Sequence, residues 1–173
     1  MGPDERGGAR MLDPQLLIAD ERGRIADQRG QSQMNQKRLL EAHITGPVIR
    51  LFFRVYDRLG YGFFESVYAN ALACELEEAG IAFEREVAID VWYKGRRIGH
   101  YRADFLIDGR VVVELKTSEQ INDANRKQLL NLLRCSRLEV GLLLHFGPSA
   151  QFERIVYTNG RKANLPPPEQ SDA

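Results

Sequence analysis

The chain has 173 residues, 43% of them hydrophobic, and its 24 Lys plus Arg are balanced by 24 Asp plus Glu. That is enough apolar material for one compact domain, while a formal charge of zero supplies none of the long-range attraction that most nucleic-acid-binding domains show. Two cysteines without CxxC spacing, Cys74 and Cys135, cannot by themselves build an all-cysteine zinc or iron–sulfur site. No apolar run approaches the roughly 20 residues of a membrane span.

Residues 1–38 are rich in Gly, Arg, Asp and Gln, with only Met11-Leu12 and Leu16-Leu17-Ile18 as apolar clumps. This is poor material for a core and is expected to be disordered. It also lacks the apolar core of a signal peptide, so a cytoplasmic location is expected, with both cysteines as small buried residues in a reduced compartment. The folded domain is expected over 39–159. Ile44, Val48, Phe52, Val55 and Leu59 recur at helical spacing, and Gly60 ends that helix. A second helix is expected from Phe64 to Ala79, with Val67, Ala71 and Cys74 on one stripe and Leu72 and Leu76 beside it. Strand-like runs follow: Phe83 to Tyr93, a Lys94-Gly95 turn, Ile98 to Ile107, an Asp108-Gly109 turn, then Val111 to Thr117. Ile121 to Ser136 reads as helix, and Leu138 to Phe146 and Phe152 to Thr158 as strands. The Pro-rich end, 160–173, is expected to be a disordered tail. The order αα-βββ-α-ββ predicts an α/β domain: a mixed β-sheet flanked by helices, with antiparallel hairpins before one crossover helix.

Charge interrupts the apolar strands at Asp104, Glu114 and Lys116. Burying a charge costs several kcal/mol, roughly, unless it is paired or binds a metal. Side chains alternate along a strand, so Glu114 and Lys116 share a face. Asp104 joins them only if the connecting turn is odd. A two-residue turn at Asp108-Gly109 would pair Asp104 with Val113 and put the acids on opposite faces. A three-residue loop, Ile107-Asp108-Gly109, would pair it with Val112 and bring them together, with Gly109 in the left-handed conformation. In that geometry two carboxylates and the Leu115 carbonyl make a hard oxygen site for Mg²⁺ or Mn²⁺, with Lys116 beside the bound water. The blander alternative is a strand-to-strand ion pair, Glu114 with Lys116 or Arg102 with Asp104.

Two further residues are unusual for their surroundings. Glu65 opens a helix among the apolar Tyr68, Ala69 and Leu72, where the helix N-terminus alone would favour a carboxylate. Gln128 sits among Leu129, Leu130, Leu132 and Leu133, or is an ordinary surface amide. Basic clusters at Lys94, Arg96 and Arg97, at Arg126, Lys127, Arg134 and Arg137, and at Arg161 and Lys162 are grooves for a polyanion or solvated surface. His43, His100 and His145 are read as structural or surface groups.

The segments Leu59-Gly-Tyr-Gly-Phe-Phe-Glu-Ser-Val-Tyr68, Phe83-Glu-Arg-Glu86, Tyr101-Arg-Ala-Asp104, Val113-Glu-Leu-Lys116, Gln128-Leu-Leu-Asn131 and Gly141-Leu-Leu-Leu144 resemble the GxxExxR proteins, within the PD-(D/E)XK nuclease superfamily. The resemblance covers about residues 40–157. It implies a restriction-endonuclease-like core and the catalytic series Glu65, Asp104, Glu114, Lys116 and Gln128. In RecB-like relatives the helical Glu and the later Gln support the metal site and the nucleophile. The chain departs from the pattern in four places. Tyr68 stands where the family name has Arg, Ala103 precedes Asp104 in place of Pro, and Tyr56 and Asn125 occupy positions where a His is expected. No histidine-assisted step therefore carries over, and the cysteine cluster of iron–sulfur-bearing relatives is missing.

The expectation is thus a Mg²⁺-dependent nuclease cutting DNA with metal-activated water. Asp104, Glu114 and Leu115 would hold the metal, Lys116 would act on the nucleophile or transition state, and Arg102 would hold a phosphate. A core this small is expected to need a dimer or a protein partner for affinity, and no membrane. The rival is a non-catalytic interaction domain that keeps the nuclease fold.

Overall fold

The computed structural model describes residues 40–162. The segment expected to be disordered at the N-terminus, and the tail beyond Lys162, lie outside the described residues. Helix α1 (Ala42–Leu59) buries Ile44, Val48, Phe52 and Val55, as its periodicity predicts, with Ile49 beside them, while Leu59 at its end is exposed. Gly60, left-handed at φ 69°, closes it by donating its amide to the Tyr56 carbonyl at 2.8 Å.

Helix α2 (Glu65–Glu78) buries Tyr68, Leu72, Ala73, Glu75 and Leu76. Val67 and Cys74, expected on the buried stripe, are instead exposed, and Cys135 is only half-buried. Apolar residues lie on more than one side of this helix, so spacing alone did not select the face. Packing against α1 selects it, because the buried Glu75 carboxylate must meet Arg54 at 2.9 Å and Arg58 at 3.2 Å. A buried carboxylate without such partners would cost several kcal/mol, roughly.

Five strands follow the predicted order: β1 (Phe83–Tyr93), β2 (Arg96–Ile107), β3 (Val111–Lys116), β4 (Val140–Phe146) and β5 (Ala150–Val156). They form one sheet in the order β1-β2-β3-β4-β5, with only β3 and β4 parallel. The β3–β4 crossover carries α3 (Asp123–Cys135). Asn122 caps it by accepting from the Asn125 amide at 2.9 Å, and the Asn125 side chain accepts in return from the Asn122 amide. Asn125 is thus a capping residue.

The sheet separates two apolar clusters. One packs α1 and α2 over Phe105, Ile107, Val111, Val113, Leu115, Val140, Leu142, Leu144 and Phe146. The other packs Leu129, Leu132 and Leu133 of α3 over Ile89, Ala103, Val112 and Leu143. The expected domain ended at 159, but the chain stays docked through Lys162. Residues Asn159–Arg161 make a 3₁₀ turn, and the Lys162 ammonium donates to the carbonyls of Ser136 and Leu138 at 2.9 and 2.7 Å, at the end of α3.

Gly147 follows β4, where the backbone runs against His145. A Cβ there would lie 2.2 Å from the His145 ring and 2.8 Å from the Ser118 carbonyl oxygen. The ring is buried and holds that carbonyl at 2.6 Å, so it has no room to yield. Gly147→Ala is expected to cost about 2–3 kcal/mol, lowering Tm by roughly 5–10 °C in a thermal melt. An unchanged Tm would show that the His145–Ser118 packing is not tight.

Candidate active site

The β2–β3 hairpin decides whether the acids meet. Its observed pairs are Phe105↔Val113, Leu106↔Val112 and Ile107↔Val111. The loop therefore holds three residues, as the chemistry requires, but they are Asp108, Gly109 and Arg110, one position later than expected. Asp108 and Gly109 both take left-handed φ values, 50° and 65°, and the Arg110 amide donates to the Ile107 carbonyl at 2.9 Å. Asp tolerates that region better than most residues, and Gly adopts it without strain.

Extending this register by one residue sets Asp104 directly opposite Glu114. No backbone pair forms there. Instead the Asp104 carboxylate accepts the Leu115 amide through Oδ2 at 2.7 Å. The strands part at this point, and a side chain takes the place of the lost ladder bond. Glu114 lies on the side of the sheet that carries Val112 and α3, since Val113 and Leu115 belong to the opposite cluster, and the Asp104 charge acts on it from across the parted strands.

Glu114 is the buried member of the group, its side chain only 6% exposed. Its Oε1 has no hydrogen-bond partner among the described residues, and Oε2 lies 3.7 Å from the Lys116 ammonium. Burial pushes its pKa up to about 7. The Asp104 charge adds to the rise, and Lys116 and a hydrogen bond from Tyr101 oppose it. Lys116 also lies 3.8 Å from Glu65 Oε2 and donates to the Leu115 carbonyl. Glu65 is the first residue of α2, so the helix N-terminus favours its charge. Burial nevertheless raises its pKa, with Lys116 pulling it down and Asp104 adding to the rise.

The structure thus gathers Glu65, Asp104, Glu114 and Lys116 at the end of the sheet where β2 leaves β3. Gln128 is exposed on α3, and its side chain makes no hydrogen bond to the described residues. Arg102 is exposed and paired with Glu86. Among the other predicted basic clusters, Arg126 is held by Glu153 at 2.7 Å and by Asp123 at 2.8 Å, while Arg134 and Arg161 flank the Tyr157 ring at 5.4 and 5.2 Å.

Sequence reasoning missed Tyr101. On a regular strand it would face away from Asp104, three residues on. The β1–β2 ribbon is not regular: it pairs Arg85 with Phe105 and Val87 with Ala103 but leaves Glu86 and Asp104 unpaired, with Glu86 left-handed at φ 53°. Phe83 and Phe105 belong to the α1–α2 cluster, Val87 and Ala103 to the α3 cluster. The ribbon changes face at Glu86, and that turn carries Tyr101 to Glu114. No local pattern in the sequence marks it.

The donor set fits a divalent cation by its chemistry. Asp104 keeps one oxygen outside its bond to Leu115, and Glu114 has a buried oxygen with no hydrogen-bond partner among the described residues. Both are the hard carboxylate ligands that Mg²⁺ and Mn²⁺ take, usually with waters completing the shell. Among the described residues no three His, Cys, Asp or Glu side chains converge into a closed cage.

A mixed sheet whose parting strands present Asp, then Glu-x-Lys, over helices on both faces is a restriction-endonuclease-like core. A family model described as the PD-(D/E)XK nuclease superfamily matches residues 42–155, and the chain belongs to that superfamily. Its members hydrolyse phosphodiester bonds and generally use divalent metals. The chain is similar to the crystal structure of an alkaline exonuclease (LHK-Exo) from Laribacter hongkongensis, with 12% identity and a TM-score of 0.38 over 63% of this chain and 77% of that one. It is also similar to the crystal structure of SSO0001, with 18% identity and a TM-score of 0.43 over 75% of this chain and 61% of that one. No curated protein sequence matches it.

The raised Glu114 pKa has a sign that can be measured. A carboxyl that holds its proton better folded than unfolded loses stabilising effect as pH rises from its ordinary 4.5 through about 7. In EDTA, urea melts of the parent should therefore show stability falling across that interval, by on the order of 3 kcal/mol. Glu114→Gln should remove most of that slope and be the more stable protein above the interval. Equal slopes in parent and variant would refute the assignment of the shift to Glu114.

Proposed function

We propose that the protein is a divalent-metal-dependent nuclease that hydrolyses phosphodiester bonds of DNA, and that within its superfamily it is one of the GxxExxR proteins. The observation that carries this reading is the partnerless buried oxygen of Glu114, on a side chain facing Asp104 whose other oxygen is 3.7 Å from the Lys116 ammonium. Leaving a buried polar atom unsatisfied costs about 1–3 kcal/mol, a cost that a cation bound between Glu114 and Asp104 would offset.

Asp104 and Glu114 would hold Mg²⁺ or Mn²⁺, with the Leu115 carbonyl as a further ligand once Lys116 releases it. The ion would supply Lewis-acid polarisation of the scissile phosphate and a water acidified to near neutrality. The Lys116 ammonium lies 3.8 Å from Glu65 and 3.7 Å from Glu114, placed to stabilise developing phosphate charge or to orient the attacking water. Glu65 fixes that ammonium from the helix side. Arg102 would exchange Glu86 for a phosphate, and Gln128, through the family resemblance, would support the nucleophile from α3. The two free thiols suit a cytoplasmic setting, and no described helix is long and apolar enough to cross a membrane. A zero net charge favours a dimer or protein partner that adds affinity.

One observation favours a non-catalytic reading: the Lys116 ammonium is engaged by the Leu115 carbonyl rather than standing free. Magnesium separates the two. The parent should gain Tm on Mg²⁺ titration by mass action, and Asp104→Ala should not. Lys116→Ala and Asp104→Ala should each lower Mg²⁺-dependent cleavage of DNA by about 100-fold or more while melting as folded proteins. Cleavage by both variants at the parental rate would overturn the proposal.

A further inference from the structure

The connection from α1 to α2 leaves three aromatic rings in solvent immediately before Glu65. Tyr61 is 61% exposed, Phe63 48% and Phe64 84%. The backbone beneath them is pinned. Tyr68, fully buried and stacked on Phe146 at 4.2 Å, donates its hydroxyl to the Gly60 carbonyl at 2.8 Å and accepts the Phe63 amide at 3.3 Å. Gly62, at φ 105°, makes the bend between the rings. The Phe64 carbonyl accepts the Val67 amide at 2.9 Å, so Phe64 rides on the first turn of α2. Its neighbour Glu65 reaches to 3.8 Å from the Lys116 ammonium. A pinned loop that holds three rings in water, one residue from the candidate chemistry, is shaped for a flat ligand.

A second surface at the same end of the sheet has the complementary charge. Beyond Asp104, β2 has no partner on the β3 side, and the hairpin continues as a two-stranded arm. From Asp90↔His100 to Tyr93↔Arg96 none of its residues is buried. The stretch from Lys94 to Arg102 carries Lys94, Arg96, Arg97 and Arg102; Arg97 pairs with Asp90 at 3.3 Å and Arg102 with Glu86 on the facing strand, carboxylates that a phosphate would replace. Rings that stack bases and cations that follow a phosphate backbone are together what an unpaired strand requires. A duplex keeps its base faces inside the stack and would leave the rings unused.

We propose that the Tyr61–Phe64 loop is a stacking platform for unpaired bases, with the Lys94–Arg102 arm holding the phosphates, so that the substrate of this site is a single-stranded segment or end. The proposal rests on the nuclease reading for its biological sense, but binding can be measured without cleavage. In EDTA, fluorescence anisotropy should show the parent binding a labelled oligothymidylate more tightly than a blunt duplex of the same length. Phe64→Ala should weaken oligothymidylate binding about tenfold, and Phe64→Trp should retain it. Duplex binding should not change. Phe64 is so exposed that the fold is not at stake, and a matching Tm checks this. Comparable binding of the same strand as oligouridylate supports the platform, because base faces rather than the sugar are then read. Unchanged single-strand affinity in Phe64→Ala, or equal losses for strand and duplex, overturns the proposal. So does a change of oligomeric state with strand binding intact, which would make the loop a contact between copies. Because Lys116→Ala tests cleavage and Phe64→Ala tests binding, the two readings fail separately.

Discussion

The site depends on one hydrogen bond, from the Leu115 amide to the Asp104 carboxylate at 2.7 Å. Strands β2 and β3 pair regularly through Phe105 and Val113 and then separate. A separated strand leaves amides without acceptors, and an unsatisfied buried amide costs about 1–3 kcal/mol. Asp104 supplies the acceptor from its side chain. The sheet can therefore open without leaving a backbone donor stranded, and the opening is where Glu114 and Lys116 are presented. The same carboxylate that terminates the ladder is the one set opposite Glu114, so the structural contact and the proposed metal-binding role fall on one residue. A shorter or neutral apolar side chain at 104 would lose both.

The second constraint is the turning of the β1–β2 ribbon at Glu86. A left-handed conformation costs a non-glycine residue on the order of 1 kcal/mol, and here it falls inside a strand. The consequence is a change of face: residues before it pack under α1 and α2, and residues after it pack under α3. Without that change Tyr101 would point away from Glu114 and Ile89 would miss the leucines of α3. The ribbon then runs on as an exposed arm, since the sheet it left has ended.

How much of this was legible in the sequence follows from the range of the interactions. Periodicity located every α-helix and strand of the described domain, because α1, α3 and the strands have one clear apolar face or an unbroken apolar run. It misjudged the buried face of α2, where apolar residues lie on several sides and the buried Glu75–Arg54 pair decides the orientation. Parity along paired strands is a local rule, so the sequence showed that an odd loop would gather Asp104, Glu114 and Lys116, but it allowed a two-residue turn as well, and the observed three-residue loop lies one position later than expected. The closeness of Glu65 to Lys116 needed the family resemblance, since nothing local links a helix start to the end of a strand so far along the chain. Tyr101 was not legible at all, because its role depends on a backbone kink at a glutamate that has no signature.

The cluster also explains why the site is held in electrostatic conflict. Glu65 and Glu114 share one ammonium, Lys116, and the Asp104 charge acts on both of them. Burial and mutual repulsion raise the pKa of Glu114 and of Glu65, so the folded chain resists carrying the full negative charge. A second positive charge would resolve that conflict, and Glu114 Oε1, which has no hydrogen-bond partner among the described residues, is placed to receive it. A core shaped only for stability would have filled these positions with apolar residues, as it does at Val112 and Leu143 beside them. On the proposed reading, the uncompensated charge is a binding capacity rather than a defect in packing.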